Sequence, residues 1–514
     1  MIEEVNWINK MVPSQLGLKY GSWRPGQAGA IEQASSSTKR IILIEAPTGT
    51  GKTLLGLGLA LVNSWRAYFL TANKTLQDQY VEEGNGMVRR MVGRQNYKCV
   101  LWKFHPGEAA SRGAAMDTSV DNAPCASGYQ CPVKKWCGYF VDKKEVMAGL
   151  LSAHNYSYWL PESEYAGGFS DTDLIVADEA HLLDNVICKF LAINLDSKTL
   201  SYMKQMGAMP ANDSIMQWKK AGEAAETGAR EALLLQEEGT VNASRWKRRL
   251  SLYQRLAAID TEHNRYVVNK AAWSTSIVPV WPIGVEKLLM GHKARKLVMM
   301  TATVIDKEMF LDVLGFNPDD VEFIKMPWVF PPYTRPVYYR PVAEVTRETT
   351  IAAASNLAGA CDDVLSKREG EKGVIHTHSF RLLDAVVPYI KNLHRIVVQT
   401  RGADRLQLIT SFKAEGGSRW LVSPSVEHGE NFAGDIARNQ IILKIPFPNL
   451  GDEAVRIRSR QKHWWYKFAT VQNLVQMIGR LTRSDRDYGE TYIFDGKLES
   501  VMELIPQEVK AAMK

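Results

Sequence analysis

Short apolar runs separated by turn residues set the rhythm of this chain: IILI at 41–44, AYFLT at 67–71, LIVA at 174–177 and LVMMT at 297–301. Each has the length of a buried strand. Helical stretches or longer insertions lie between them, which predicts a parallel sheet covered by helices on both faces. A second set follows the Pro-rich stretch PWVFPP at 327–332: GVIH at 373–376, RIVVQ at 395–399, WLVS at 420–423, QIILK at 440–444 and TYIF at 491–494. This predicts a second α/β domain of similar size after a linker. Two segments fit neither sheet and read as insertions into the first domain: residues 88–150, which hold the clustered cysteines, and residues 190–285, which read as mostly helical.

Composition adds limits rather than a function. With 514 residues, 45% hydrophobic and 23% charged, the chain has apolar material for more than one core, so two to four domains are expected. It has no run of about 18 uncharged apolar residues, and its start, MIEEVNWINK, lacks the basic and apolar pattern of a secretory signal; a soluble intracellular protein is expected. A net charge of +7 permits a nucleic-acid partner without requiring one. Three basic clusters are candidates for phosphate contact, although most such clusters are solvated faces: Arg89, Arg90 and Arg94; Lys247, Arg248 and Arg249 after Trp246; and residues 456–467, where bases interleave with Trp464, Trp465 and Tyr466. Four of the six cysteines, Cys99, Cys125, Cys131 and Cys137, fall within 39 residues. In an intracellular chain they read as a metal or cluster site, while the isolated Cys188 and Cys361 read as buried filler.

Three motifs carry chemistry. Ala46-Pro47-Thr48-Gly49-Thr50-Gly51-Lys52-Thr53 follows a strand and opens a helix, as a phosphate-binding loop requires, with Ala46 at the usual first Gly. Backbone N–H groups would cradle phosphates, Lys52 would reach the β and γ oxygens, and the Thr53 hydroxyl would hold Mg²⁺. Asp178-Glu179-Ala180-His181 ends an apolar strand, so its acids emerge beside that loop: Asp178 suits the metal's water shell and Glu179 the attacking water. The third motif is Gln476-Met477-Ile478-Gly479-Arg480-Leu481-Thr482-Arg483. On a helix Gln476, Arg480 and Arg483 would share a face, and arginines across a domain cleft can neutralise a transferring phosphoryl group.

The ordered set WRPGQ, APTGTGKT, TANKTLQDQ, NYKC, SAHNYSY, DEAH, TAT, VIHTHS, HGENFAGD and QMIGRLTR resembles the superfamily 2 helicases of the XPD/DinG family, over residues 23–495, and is similar to the microbial members in particular. The resemblance implies an α/β fold of two RecA-like parallel-sheet motor domains, the first carrying an Fe–S insertion and a helical arch-like insertion. It divides the chain into motor domain 1 at 1–87, 151–189 and 286–335 (the last with the linker), the Fe–S insertion at 88–150, the arch-like insertion at 190–285, and motor domain 2 at 336–514.

It further implies that Arg24 and Gln27 contact adenine, that His181, Thr301 and Thr303 couple the ATP site to the nucleic-acid groove, and that Thr71, Thr75, Gln77, His376 and Ser379 line the strand's path. Such contacts would be mainly to phosphate and sugar. The implied activity is an ATP-dependent 5′→3′ DNA helicase acting on single-stranded and forked DNA. It would be a monomeric motor in the cytoplasm of a bacterial or phage-infected cell, without membrane contact; the N-terminal nuclease of some DinG relatives is not expected, because Gln27 lies so close to the start. A translocase that remodels DNA with little unwinding, and a nucleotide-gated binding protein with weak hydrolysis, are the alternatives. The cysteine spacing C-x25-C-x5-C-x5-C lacks the C-x2-C pairs usual for structural zinc and matches the place where the family holds a [4Fe–4S] cluster. The chain departs from the family pattern at Ala46, at Thr301 for Ser, and at His428 and Asn431, which replace two acids; Asn431 retains hydrogen bonding to ribose but not charge.

Overall fold

The computed structural model describes residues 11–166, 168–169, 171–291, 294–424, 432, 434–482 and 487–514. Its strands, in chain order, are β1 (Ile41–Glu45), β2 (Ala67–Thr71), β3 (Val88–Met91), β4 (Leu151–Asn155), β5 (Thr172–Ala177), β6 (Ile193–Asp196), β7 (Tyr266–Ala271) and β8 (Ser274–Pro279). They continue with β9 (Ala294–Thr301), β10 (Val321–Lys325), β11 (Val337–Ala343), β12 (Gly373–His376), β13 (Ile396–Val398), β14 (Trp420–Ser423), β15 (Asn439–Ile442) and β16 (Glu490–Asp495).

Seven strands form a parallel sheet in the order β10-β1-β9-β5-β2-β4-β3. Alternation along β1 explains its burial: Ile41 and Leu43 enter the apolar cluster on one face, Ile42 and Ile44 the cluster on the other. The order also fixes the chemistry. Because β1, β9 and β5 are neighbours, the segments leaving their carboxyl ends, APTGTGKT, TAT and DEAH, emerge side by side. A second parallel sheet, β11-β16-β15-β12-β14-β13, is built the same way, with Ile441 and Ile442 facing opposite clusters.

Two departures from the sequence reading stand out. Residues 88–91, assigned above to the cysteine insertion, form the edge strand β3 of the first sheet, with Arg89 and Arg90 exposed. A four-residue edge strand with two outward arginines reads in sequence as a basic cluster, because only its ends are apolar. Residues 190–285 are not helical alone: β6, β8 and β7 make an antiparallel sheet, on which helices Ile215–Leu234 and Val241–Ala257 pack. Gly222 permits their close approach, since a Cβ there would lie 2.7 Å from the backbone nitrogen of Ala257.

The two large sheets are joined by more than the linker. Trp465 and Phe468, on the second domain's helix Trp465–Ile478, are buried in the apolar cluster that covers one face of the first sheet. Around them Arg458 pairs with Asp184 at 3.0 Å, Lys462 with Asp312 at 2.6 Å, and Trp281 Nε1 donates to Gln461 Oε1 at 2.7 Å.

Candidate ATP-hydrolysing cleft

The loop after β1 turns through Gly49 (φ +85°) and Gly51 (φ +78°), left-handed positions that suit glycine, before helix Lys52–Val62 begins. Ala46 N–H donates to Thr301 O at 2.8 Å, and its methyl is buried in the core, so the small residue in place of the usual glycine continues the ladder. Thr50 Oγ1 donates to Pro47 O at 2.7 Å. Gln27 is fully buried and holds the loop from behind: its Nε2 donates to Thr50 O at 2.8 Å and Gly51 O at 3.0 Å, while Oε1 accepts from Arg24 N at 2.8 Å. Arg24 also donates to Gly49 O. Both residues expected at adenine therefore brace the glycine turn here.

Lys52, Thr53, Asp178 and Glu179 line one cavity of about 370 Å³ with Arg24, Gly49 and Gly51. Lys52 Nζ lies 3.7 Å from Glu179 Oε1. Glu179 sits at φ +53°, an uncommon conformation for a residue with a side chain, on the turn that leaves β5. Asp178 is buried, and burial followed by the neighbouring Glu179 charge raises its pKa to about 6, opposed by Lys52 and by the Glu179 N–H it accepts. Two residues absent from the expected site support it: Tyr80 donates to Asp178 Oδ2 at 3.4 Å, and Tyr156 donates to Asp178 O at 2.7 Å. Tyr156 lies inside SAHNYSY and Tyr80 one position past TANKTLQDQ, but nothing in their spacing reveals that they point at the acid. His181 Nδ1 lies 3.3 Å from Glu179 Oε2 and 3.2 Å from Thr301 Oγ1. Lysine, glutamate, histidine and threonine thus form one polar chain from the loop to the end of β9, where Thr303 is buried nearby in sequence.

The second domain meets this cleft at Gly479. A Cβ placed there would lie 3.2 Å from Thr48 Oγ1 of the glycine turn. Gln476 and Arg480 do not share a helical face: the helix ends at Ile478 and Gly479 caps it, so Arg480 lies beyond the helix, with its side chain buried. Glycine at this point removes the propensity that would carry the helix on. Gln440 Nε2 reinforces the end, donating to Met477 O at 3.2 Å and Thr491 Oγ1 at 2.8 Å. Gln476 Nε2 is buried without a hydrogen-bond partner among the described residues. Arg483, Asn431 and His428 lie outside the described residues.

The residues expected along a nucleic-acid strand divide. Thr75 is exposed, and Ser379 is half-buried with its Oγ capping helix Phe380–Val386. Thr71, Gln77 and His376 are buried: Thr71 donates to Asn73 O at 3.0 Å, Gln77 Nε2 to Met91 O at 2.9 Å, and His376 Nε2 meets Gln440 Oε1 at 3.2 Å. Their polar atoms shape the edge of each sheet rather than face an open groove. Through Gln440, His376 is tied to the helix end that meets Thr48.

Cys99, Cys125 and Cys131 pack in one small cluster, and Cys137 is buried nearby; all are free thiols. Burial raises the pKa of Cys99, Cys125 and Cys131, Cys125 to about 11, and neighbouring sulfurs raise each further. Among the described residues no three Cys, His, Asp or Glu side chains are drawn together as ligands. Four soft donors within one small unit suit an iron–sulfur cluster by their chemistry.

Residues 363–512 match the helicase C-terminal domain family. The ATP-dependent DNA helicase YoaA of Escherichia coli (strain K12) is 21% identical over 581 aligned positions, which cover 92% of this chain and 90% of the relative. A protein of Methanocaldococcus jannaschii named as a probable ATP-dependent helicase is 23% identical over 590 positions, covering 89% of this chain and 88% of its own. Among solved structures, an XPD helicase superposes with a TM-score of 0.63 at 15% identity, covering 99% of this chain and 98% of that one. Xpd4 from S. tokodaii gives 0.56 at 14% identity, covering 95% and 99%. At such identities the superpositions speak for the fold.

Proposed function

We propose, on the premise that this chain is a superfamily 2 helicase of the XPD/DinG type and an ATP-dependent DNA helicase, that ATP is hydrolysed between its two parallel-sheet domains and that their closing and opening drives 5′→3′ travel along single-stranded DNA. The observation that carries this reading is the approach of Gly479 to Thr48, which sets the QMIGR segment of one domain against the glycine turn of the other.

The backbone N–H groups of residues 49–52 and the Lys52 ammonium hold the phosphates, and Arg24 and Gln27 fix the turn that presents them. Thr53 and Asp178 would hold Mg²⁺, which neutralises phosphate charge when bound. Glu179 orients the attacking water and accepts its proton, with its carboxylate aimed by the turn at φ +53° and by His181. Gln476, Arg480 and Arg483 bring hydrogen bonds and positive charge from the second domain, so hydrolysis depends on closure. His181, Thr301 and Thr303 relay the state of Glu179 to β9, and Thr75 and Ser379 meet the strand. Cys99, Cys125, Cys131 and Cys137 would hold a [4Fe–4S] cluster, which staples this disulfide-free unit when present.

The test measures ATPase activity with and without polynucleotide, then unwinding of 5′-tailed, 3′-tailed and forked DNA and RNA, with Lys52→Ala and Glu179→Gln as controls. Strong stimulation by single-stranded DNA and unwinding of 5′-tailed duplex are expected. Hydrolysis indifferent to polynucleotide, or unwinding only from 3′ tails, would refute the proposed cycle or its direction respectively.

A further inference from the structure

The antiparallel sheet of the 190–285 insertion carries a second feature, on the helical insertion rather than among the residues of the ATP cleft. A cavity of about 410 Å³ opens between that sheet and helix Val241–Ala257, lined by Lys198, Arg245, Arg248, Arg249, Ser274 and Ser276. The spacings are those of built faces. Arg245, Arg248 and Arg249 stand at i, i+3 and i+4 of one helix. Ser274 and Ser276 are alternate residues of β8, paired in register with Asp196 and Asn194 of β6.

The charges are unbalanced. Asp196, which caps a helix by accepting from Thr199 N at 2.7 Å, is the lining carboxylate against four cations, and its charge acts on Arg249 and Lys198. Arg248 donates to Asn122 Oδ1 and lies 3.7 Å from Asp121 of the cysteine-bearing unit, yet burial and the like charges of Arg245 and Arg249 lower its pKa. The Arg249 guanidinium lies over the rings of Tyr202, at 4.2 Å, and Trp246, at 4.9 Å, contacts that hold it in place before any ligand arrives. Guanidiniums crowded beside two serine hydroxyls, with four lining cations to one lining carboxylate, are the chemistry of a phosphate site.

A further residue distinguishes a polymer from a free anion. Trp273, on the two-residue turn between β7 and β8 and adjoining Ser274, is 79% exposed. A bare indole beside a phosphate pocket offers a stacking surface for a base, the combination by which proteins hold single strands without reading sequence. We propose that the insertion is a second binding site for single-stranded nucleic acid, with a backbone phosphate at Lys198, Arg245, Arg248 and Arg249 and a base against Trp273. This inference rests on the motor reading for its polymer but not for its anion chemistry.

The test uses the full chain with Lys198→Gln/Arg245→Gln, both exposed side chains, and Trp273→Ala. Anisotropy with a long single strand is followed over a salt series, without nucleotide, beside isothermal titration with pyrophosphate. The double variant is expected to lower the salt slope by about 2 and weaken binding roughly 10-fold. Trp273→Ala is expected to weaken it about 5-fold or more with the slope unchanged. ATPase turnover at saturating short oligonucleotide is expected to stay at the parent value in each. Unchanged strand affinity and slope would overturn the proposal. Loss of pyrophosphate binding alone would also overturn it, assigning the pocket to a free phosphate compound. A parent lacking polynucleotide-stimulated ATPase would sink the motor reading instead, while strand binding without nucleotide still judges the pocket.

Discussion

Replacing Gly479 by alanine isolates the contact on which the interdomain cleft depends. The backbone there, φ −71° and ψ 3°, is one that alanine adopts freely, so the substitution introduces no local strain. Its new methyl would meet Thr48 Oγ1 at 3.2 Å, whereas its next neighbours, Val475 O and Gln476 O, lie at 3.5 and 4.0 Å. Only the contact across the cleft is tighter than ordinary van der Waals distance, and Thr48 must give by a few tenths of an ångström, through its side chain or through separation of the two domains. Overpacking of this kind costs ~1–2 kcal/mol, the lower part of the usual range because one atom is involved. Charged to the closed state, it lowers kcat for DNA-stimulated hydrolysis about 5- to 30-fold. The assay is steady-state ATPase at saturating single-stranded DNA, with thermal unfolding as the control for folding, which is expected to be unchanged. In a double-mutant cycle with Thr48→Ala, the penalty at position 479 should largely disappear, because the opposing oxygen is gone. Undiminished turnover in Gly479→Ala, or a penalty that persists in the Thr48→Ala background, would refute closure at this point as the step that permits hydrolysis.

Other consequences are open to measurement. Arg483→Ala is expected to keep DNA affinity while losing about 10³-fold or more in hydrolysis, as removal of a charge-neutralising arginine does; normal turnover would refute that role. Protein purified without oxygen is expected to be brown, with about four irons per chain, and Cys125→Ser to lose colour and iron together; colourless protein with stoichiometric zinc would overturn the cluster assignment. His154 is fully buried beside Ser152, and burial lowers its pKa from 6.5 to about 3. The unfolded chain binds the proton first, so the stability His154 contributes is complete above pH 6.5 and is lost as pH falls toward 3. By pH 5 the loss is roughly 2 kcal/mol. Urea midpoints at pH 7.5 and 5.0 should therefore converge in His154→Phe, and an equal acid sensitivity would exclude this histidine as the cause.

Apolar runs of strand length, a glycine turn between strand and helix, and two acids ending a buried strand are local patterns, and the sequence carried them directly. They determined the α/β class, the glycine turn and the carboxylate pair. Sequence could not report that Gln27 braces the glycine turn, that Tyr80 and Tyr156 hold Asp178, or that His376 reaches the helix end through Gln440, because these partners lie up to 98 positions apart and each bond depends on strand order. The expectation that Gln476 and Arg480 share a helical face failed at Gly479 for a local reason, since the helix ends at Ile478, before Arg480. The edge strand β3 and the sheet of the 190–285 insertion were concealed because short, half-exposed strands lack a continuous apolar run. By itself, then, the sequence determined which polar groups stand at the ends of the buried strands. Only the tertiary structure decided which of them meet, because setting β1, β9 and β5 side by side and bringing Gly479 against Thr48 are consequences of long-range packing that no local periodicity encodes.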